Sequence, residues 1–187
     1  MSFDDIQKRL FSEFGEVDVL IQVVLKGHLL IEEKMTEALE TFLLHGKHLD
    51  SARLQFHQKL SLCKGISTND SDNNMWNVIK QLNNLRNALS HSLAVERRQK
   101  ALNSLKSIYD QEFKQLEMGQ FDNVDIDVQI CLMAITGCLG YLHSFLEEVK
   151  SGVSKSPQLA CSGFGTPLQN ISYVCQFAPF INKALTC

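Results

Sequence analysis

The chain has 187 residues, 44% hydrophobic and 21% charged, with a formal net charge of −3 and a pI near 6.1. That length suits one sizeable domain, or one domain and a tail. The mildly acidic balance excludes a whole-protein basic footprint for nucleic acid, though not a local basic patch.

The N-terminal stretch "MSFDDIQKRLFSEFG" is acidic and lacks the basic and apolar regions of a signal peptide. No apolar run reads as approaching the ~20 residues that span a bilayer. "VQICLMAITGCLGYL" comes nearest. A soluble, cytoplasmic protein with no membrane partner is therefore expected.

Within this stretch "FDDIQKRLFSEF" predicts a short first helix. Residues 17–44 predict a long one, with Leu20, Val24, Gly27, Ile31, Met35, Ala38 and Phe42 on one continuous face. Gly27 in that face implies the close approach of another helix. His28 precedes Glu32 by one turn, so with Glu33 it is expected to form a satisfied polar pair in the core. "HGKH" (His45, His48) reads as a solvated turn after a helix end, not a metal site.

"LDSARLQFHQKLSLCKGI" predicts a third helix, with Asp50 or Ser51 as N-cap and Gly65 as the stop. A polar loop, "STNDSDNN", leads into a fourth that buries Val78, Leu82, Leu85 and Leu89. Trp76 at its start reads as core or interface. "VERRQKALNSLKSIYDQEFKQLEMG" is a fifth, and residues 125–150 an apolar sixth on which Cys131 and Cys138, two turns apart, share a buried face. The six cysteines form no C-x-x-C pair and are too sparse for a disulfide scaffold. Free thiols in a reducing compartment are expected, with neither a metal site nor a cofactor.

All three prolines (157, 167 and 179) fall in the last stretch, which also loses every Asp and Glu from Val153 onward. The chain thus divides into an all-α body, residues 1–152, expected to be an antiparallel helical bundle, and an irregular C-terminal tail, residues 153–187.

The fourth helix also carries chemistry. Arg86 sits beside the leucine stripe, and Asn87 and His91 lie one turn apart, so that Asn87 is placed to orient the imidazole. Histidine moves protons near neutral pH, and arginine grips a phosphate with a planar fork. Together they suffice for attack of an RNA 2′-OH on the adjacent phosphate without a metal. Arg86 and His91 are about 140° apart on an ideal helix. They meet on one ligand only if the helix ends near His91 or a second chain completes the site. "ERRQK" supplies Arg97, Arg98 and Lys100 just beyond, as candidate RNA-backbone contacts. Lys59 and Lys64, on the helix before the polar loop, are further cations and candidates to border the cleft. Ser90 and Ser92 lack the organised acid of a hydrolase triad.

Arg86-Asn87-Ala88-Leu89-Ser90-His91 resembles the motif of the HEPN superfamily. The context "RLQFHQKLSLCKGI", a polar loop, then "MWNVIKQLNNLRNALSH" is similar to the arrangement in several of its subfamilies. The likeness covers roughly residues 15–150, and "LNNLRNALSH" is its sharp part. Leu93 stands where the toxin subgroup paired with a nucleotidyltransferase has Tyr. The resemblance implies a helical homodimer with the motif at the subunit interface. It also implies a metal-independent endoribonuclease in a toxin–antitoxin or anti-phage system, with RNA as substrate and an antitoxin or other protein as partner. Arg86, His91 and Asn87 would then be the catalytic set. The alternative it implies is a non-catalytic dimeric regulator or interaction module, similar in build to the mannitol operon repressor family.

Overall fold

The computed structural model describes residues 18–43, 45–67, 72–91, 94–113 and 124–154. The expected first helix and nearly all of the expected tail lie outside these residues. Five helices longer than one turn make up the described body: α1 (Val19–Phe42), α2 (Phe56–Ile66), α3 (Asn74–His91), α4 (Val95–Phe113) and α5 (Ile126–Ser154). No strand occurs among the described residues. The all-α class is as the helical periodicity predicts.

Local chemistry starts the helices. Asp18 Oδ1 accepts from the Ile21 N–H at 3.1 Å, and Asp125 Oδ1 accepts from Asp127 N–H at 2.7 Å. Each satisfies a donor that the first helical turn leaves without a partner. The expected single helix over residues 49–66 is broken in two. A one-turn piece, Leu49–Ala52, ends at Arg53, whose φ of 47° lies in the left-handed region. The chain restarts at Gln55, not Asp50 or Ser51, and Gln58 Oε1 accepts from the Gln55 N–H at 2.8 Å. Gly65 does not stop α2: the helix runs through Ile66 and is capped at Ser67 with ordinary extended backbone.

Helix α1 packs chiefly on α5, and α3 on α4. Only a short connection separates α3 from α4, and Asn74 Nδ2 at the start of one donates to Glu112 Oε1 at the end of the other (2.6 Å). The pair is an antiparallel hairpin. Between α1 and α5 the pairings Gly27–Ile135 and Glu37–Lys150 advance together, so these two helices run in the same sense. Helix α2 follows α1 in step as well: Phe56 meets His28, Lys59 meets Glu32, and the Cys63 thiol reaches the Met35 carbonyl.

The core lies where α1, α3 and α5 converge. Val78, Leu82, Leu85 and Leu89 are buried as the stripe predicts, and so are Ile31, Met35, Cys131 and Cys138. Trp76 is 1% exposed, its ring edge-on to Tyr141 and Phe145 with centroids 5.0 and 5.4 Å away. Such pairs add about 0.5–1.5 kcal/mol each beyond area burial. Phe42 departs from expectation. It follows the periodic face of α1 but is 46% exposed, because Leu39 fills the last buried position of that helix.

Helix α5 is long and apolar enough by composition to cross a membrane, contrary to the reading of its sequence as too short. Half of its most apolar window is buried inside the bundle, where it meets α1, α3 and α4.

Candidate functional site

Helix α3 divides cleanly. Leu82, Leu85 and Leu89 face the core, while Asn83, Arg86, Asn87 and Ser90, spaced i, i+3, i+4 and i+7, share another side. Asn83, Arg86 and Asn87 are each half-buried at the edge of the bundle.

Arg86 is the centre of this side. Its Nη1 donates to Asn87 Oδ1 at 3.0 Å, and among the described residues no carboxylate pairs with it. Because guanidinium is donor-only, the bond consumes the carboxamide oxygen of Asn87 and leaves its Nδ2 turned elsewhere. In the single chain Asn87 thus orients Arg86. No hydrogen bond joins it to His91 among the described residues.

His91 is the last residue of α3 and is exposed. Because His91 is itself helical, it stays about 140° around α3 from Arg86, so within one chain the two do not converge on one small ligand. Ser92 and Leu93 lie outside the described residues.

A second layer supports Arg86, and sequence reading paired it wrongly. His28, 4% exposed, does not pair with Glu32 or Glu33. Its Nε2 lies 3.0 Å from Asn83 Oδ1, and its ring stacks on Phe56 with centroids 4.2 Å apart. Glu32 instead accepts from Lys59 Nζ at 2.9 Å, and Glu33 is exposed. The charge of Lys59 is matched by Glu32.

Burial pushes the His28 pKa down, and the positive charge of Arg86 pushes the same way, against the Asn83 hydrogen bond and Glu32. His28 is therefore a neutral imidazole at pH 7. Its Nδ1 is buried without a partner. An unmatched lone pair is cheaper to bury than an unmatched N–H, which assigns the proton to Nε2 and makes His28 the donor to Asn83. The only advance sign was the "LNNLRN" run itself, because His28 and Asn83 are 55 positions apart.

The basic cluster behaves differently. Arg97 is exposed and Arg98 half-buried on α4. Lys100 lines a mixed groove between α3 and α4 with Gln81, Val95, Glu96, Gln99 and Ile108. Gln81 and Arg86 are five apart, about 140° around α3. Within one chain, then, Lys100 opens onto a different side of the helix from Arg86.

Among the described residues no group of three or more His, Cys, Asp and Glu is placed to hold a metal ion. His45 and His48 sit edge-on in the turn with centroids 6.4 Å apart. No protein-family model matches the chain, and no similar curated protein or solved structure was found.

Proposed function

We propose that this chain is a metal-independent endoribonuclease of the HEPN type, acting as a cytoplasmic homodimer in a toxin–antitoxin or anti-phage setting. The observation that carries the reading is a half-buried arginine with no carboxylate partner among the described residues. A neighbouring carboxamide clamps it, on a helix that ends by exposing a histidine. An unpaired, partly desolvated guanidinium is costly unless an anion completes it.

In this reading Arg86 holds the non-bridging oxygens of the scissile phosphodiester. His91 takes the proton of the adjacent 2′-OH as that oxygen bonds to phosphorus. The P–O5′ bond breaks, and the leaving 5′-oxygen takes a proton from a second imidazolium, His91 of the second copy. The products are a 2′,3′-cyclic phosphate and a 5′-hydroxyl. Asn87 fixes the Arg86 fork. Arg97 and Arg98, with Lys100 from the second copy, would meet flanking backbone phosphates.

A second reading is favoured by one observation: His91 has no orienting partner among the described residues, while Asn87 bonds to Arg86 instead. It is a non-catalytic dimeric regulator or interaction module in which the motif bonds across the interface.

The test is a cleavage assay in EDTA with wild type and His91→Ala on structured and single-stranded RNA, with product ends identified. Cyclic-phosphate ends from wild type alone support the nuclease. Loss of dimer stability in Arg86→Ala, with no cleavage by wild type, supports the regulator.

A further inference from the structure

Both carboxamide oxygens beside Arg86 are already occupied: that of Asn83 by His28 Nε2, that of Asn87 by Arg86 Nη1. Neither Nδ2 bonds to another described residue, and neither is a buried orphan. Both amines therefore reach solvent, as do the remaining N–H groups of Arg86 by the same reasoning. The resulting face is rich in hydrogen-bond donors, with the exposed Ser90 hydroxyl at its end able to donate as well. Its carboxamide oxygens are tied down by a buried neutral imidazole and by the guanidinium itself.

From this geometry we infer that Asn83 is a further binding residue of the site, a phosphate-contacting donor one turn before Asn87, with His28 as its positioning residue. The ligand chemistry is a phosphate oxyanion, which accepts hydrogen bonds and donates none when fully ionised. Given the ribonuclease reading, on which this inference rests for its substrate, that phosphate belongs to the RNA backbone. The reason His28 matters is directional. Without a donor at its oxygen, the Asn83 amide can turn over and present an acceptor to the anion. With His28 in place only the amine faces out. Phe56 keeps the imidazole flat against α2, and the Lys59–Glu32 pair closes the side toward that helix with no net charge.

The experiment uses the full chain and an RNA whose 2′-hydroxyls are methylated, so that binding is read without cleavage. Inorganic pyrophosphate serves as a second probe. Asn83→Asp keeps the size but replaces the donors with a carboxylate, and it should weaken binding of the methylated RNA about tenfold or more. In wild type, the Asn83 side-chain amide resonances should shift as either probe is added. A response to both probes supports a phosphate site as such. A response to the RNA alone supports its backbone as the source. Unchanged affinity in Asn83→Asp, or amide resonances that stay put at saturating RNA, overturns the inference even if wild type cleaves RNA and His91→Ala does not. A wild type that binds neither probe overturns it too. If wild type binds the methylated RNA through Asn83 yet cleaves no RNA, the donor face stands and the nuclease reading falls.

Discussion

His28 Nε2 and Asn83 Oδ1 lie 3.0 Å apart and tie α1 to α3 one turn from Arg86. The contact is part-buried, with His28 itself in the core, so its loss is felt in stability as well as in the site. His28→Ala removes a ring stacked on Phe56 and leaves the Asn83 oxygen without its donor. The expected cost is about 2–4 kcal/mol, from the cavity and the lost hydrogen bond together. Urea denaturation measures it as a drop in midpoint with an unchanged slope. A drop below about 1 kcal/mol would mean that the site relaxes around the missing ring.

The depressed His28 pKa sets a direction for pH dependence. The unfolded chain binds a proton near pH 6.5, and the folded chain only at lower pH. Between those values the unfolded state carries more protons, so stability is full above about pH 6.5 and falls as pH drops through that window. Thermal unfolding from pH 7.5 to 5 should show the decline, and His28→Gln should flatten it. An equal slope in both proteins would assign the dependence to other groups.

Gly27 makes the opposite point about helix propensity. A Cβ at this position would lie 2.8 and 2.9 Å from Ile135 Cγ1 and Cγ2, and closer still to Cδ1. Alanine is the better helix former by about 1 kcal/mol, yet the clash with a stiff β-branched side chain on α5 should outweigh that gain. Gly27→Ala is expected to destabilise by about 1–3 kcal/mol. In the Ile135→Ala background it should become neutral or stabilising. Additive effects of the two changes would show that the helices separate freely.

Three thiols should be silent in the native state. Burial pushes Cys63 and Cys131 up to about 12, and Cys138 higher still. The thiolate is the reactive form. Iodoacetamide at pH 8 should therefore label these three only after denaturation, as read by peptide mass spectrometry. Rapid native labelling of Cys131 or Cys138 would mean that α5 leaves the bundle.

His91→Ala removes an exposed side chain at a helix end, so stability should change by no more than about 0.5 kcal/mol. If His91 moves the 2′-OH proton, cleavage in the same protein should fall by about 10²-fold or more. A variant that unfolds earlier and cleaves normally would make His91 a structural residue.

The sequence by itself determined the long helices α1, α3, α4 and α5, most of their buried stripes, the two shared-face cysteines and the positions of Arg86, Asn87 and His91 on α3. These are consequences of a 3.6-residue period and of side-chain chemistry, which act within a few residues. Tertiary structure decided the rest. Arg53 breaks residues 49–66 because α2 must run in step with α1, and the polar character of Asp50 and Ser51 carries no record of that. His28 finds Asn83 rather than Glu32, since a buried imidazole beside Arg86 is better satisfied by a neutral amide, while Lys59 claims the carboxylate. Lys100, close to the motif in sequence, opens onto a different side of α3 from Arg86, because α4 runs back along α3 on its Gln81 side. Periodicity fixes which way a side chain points from its own helix, and only the packing of helices fixes what it meets there.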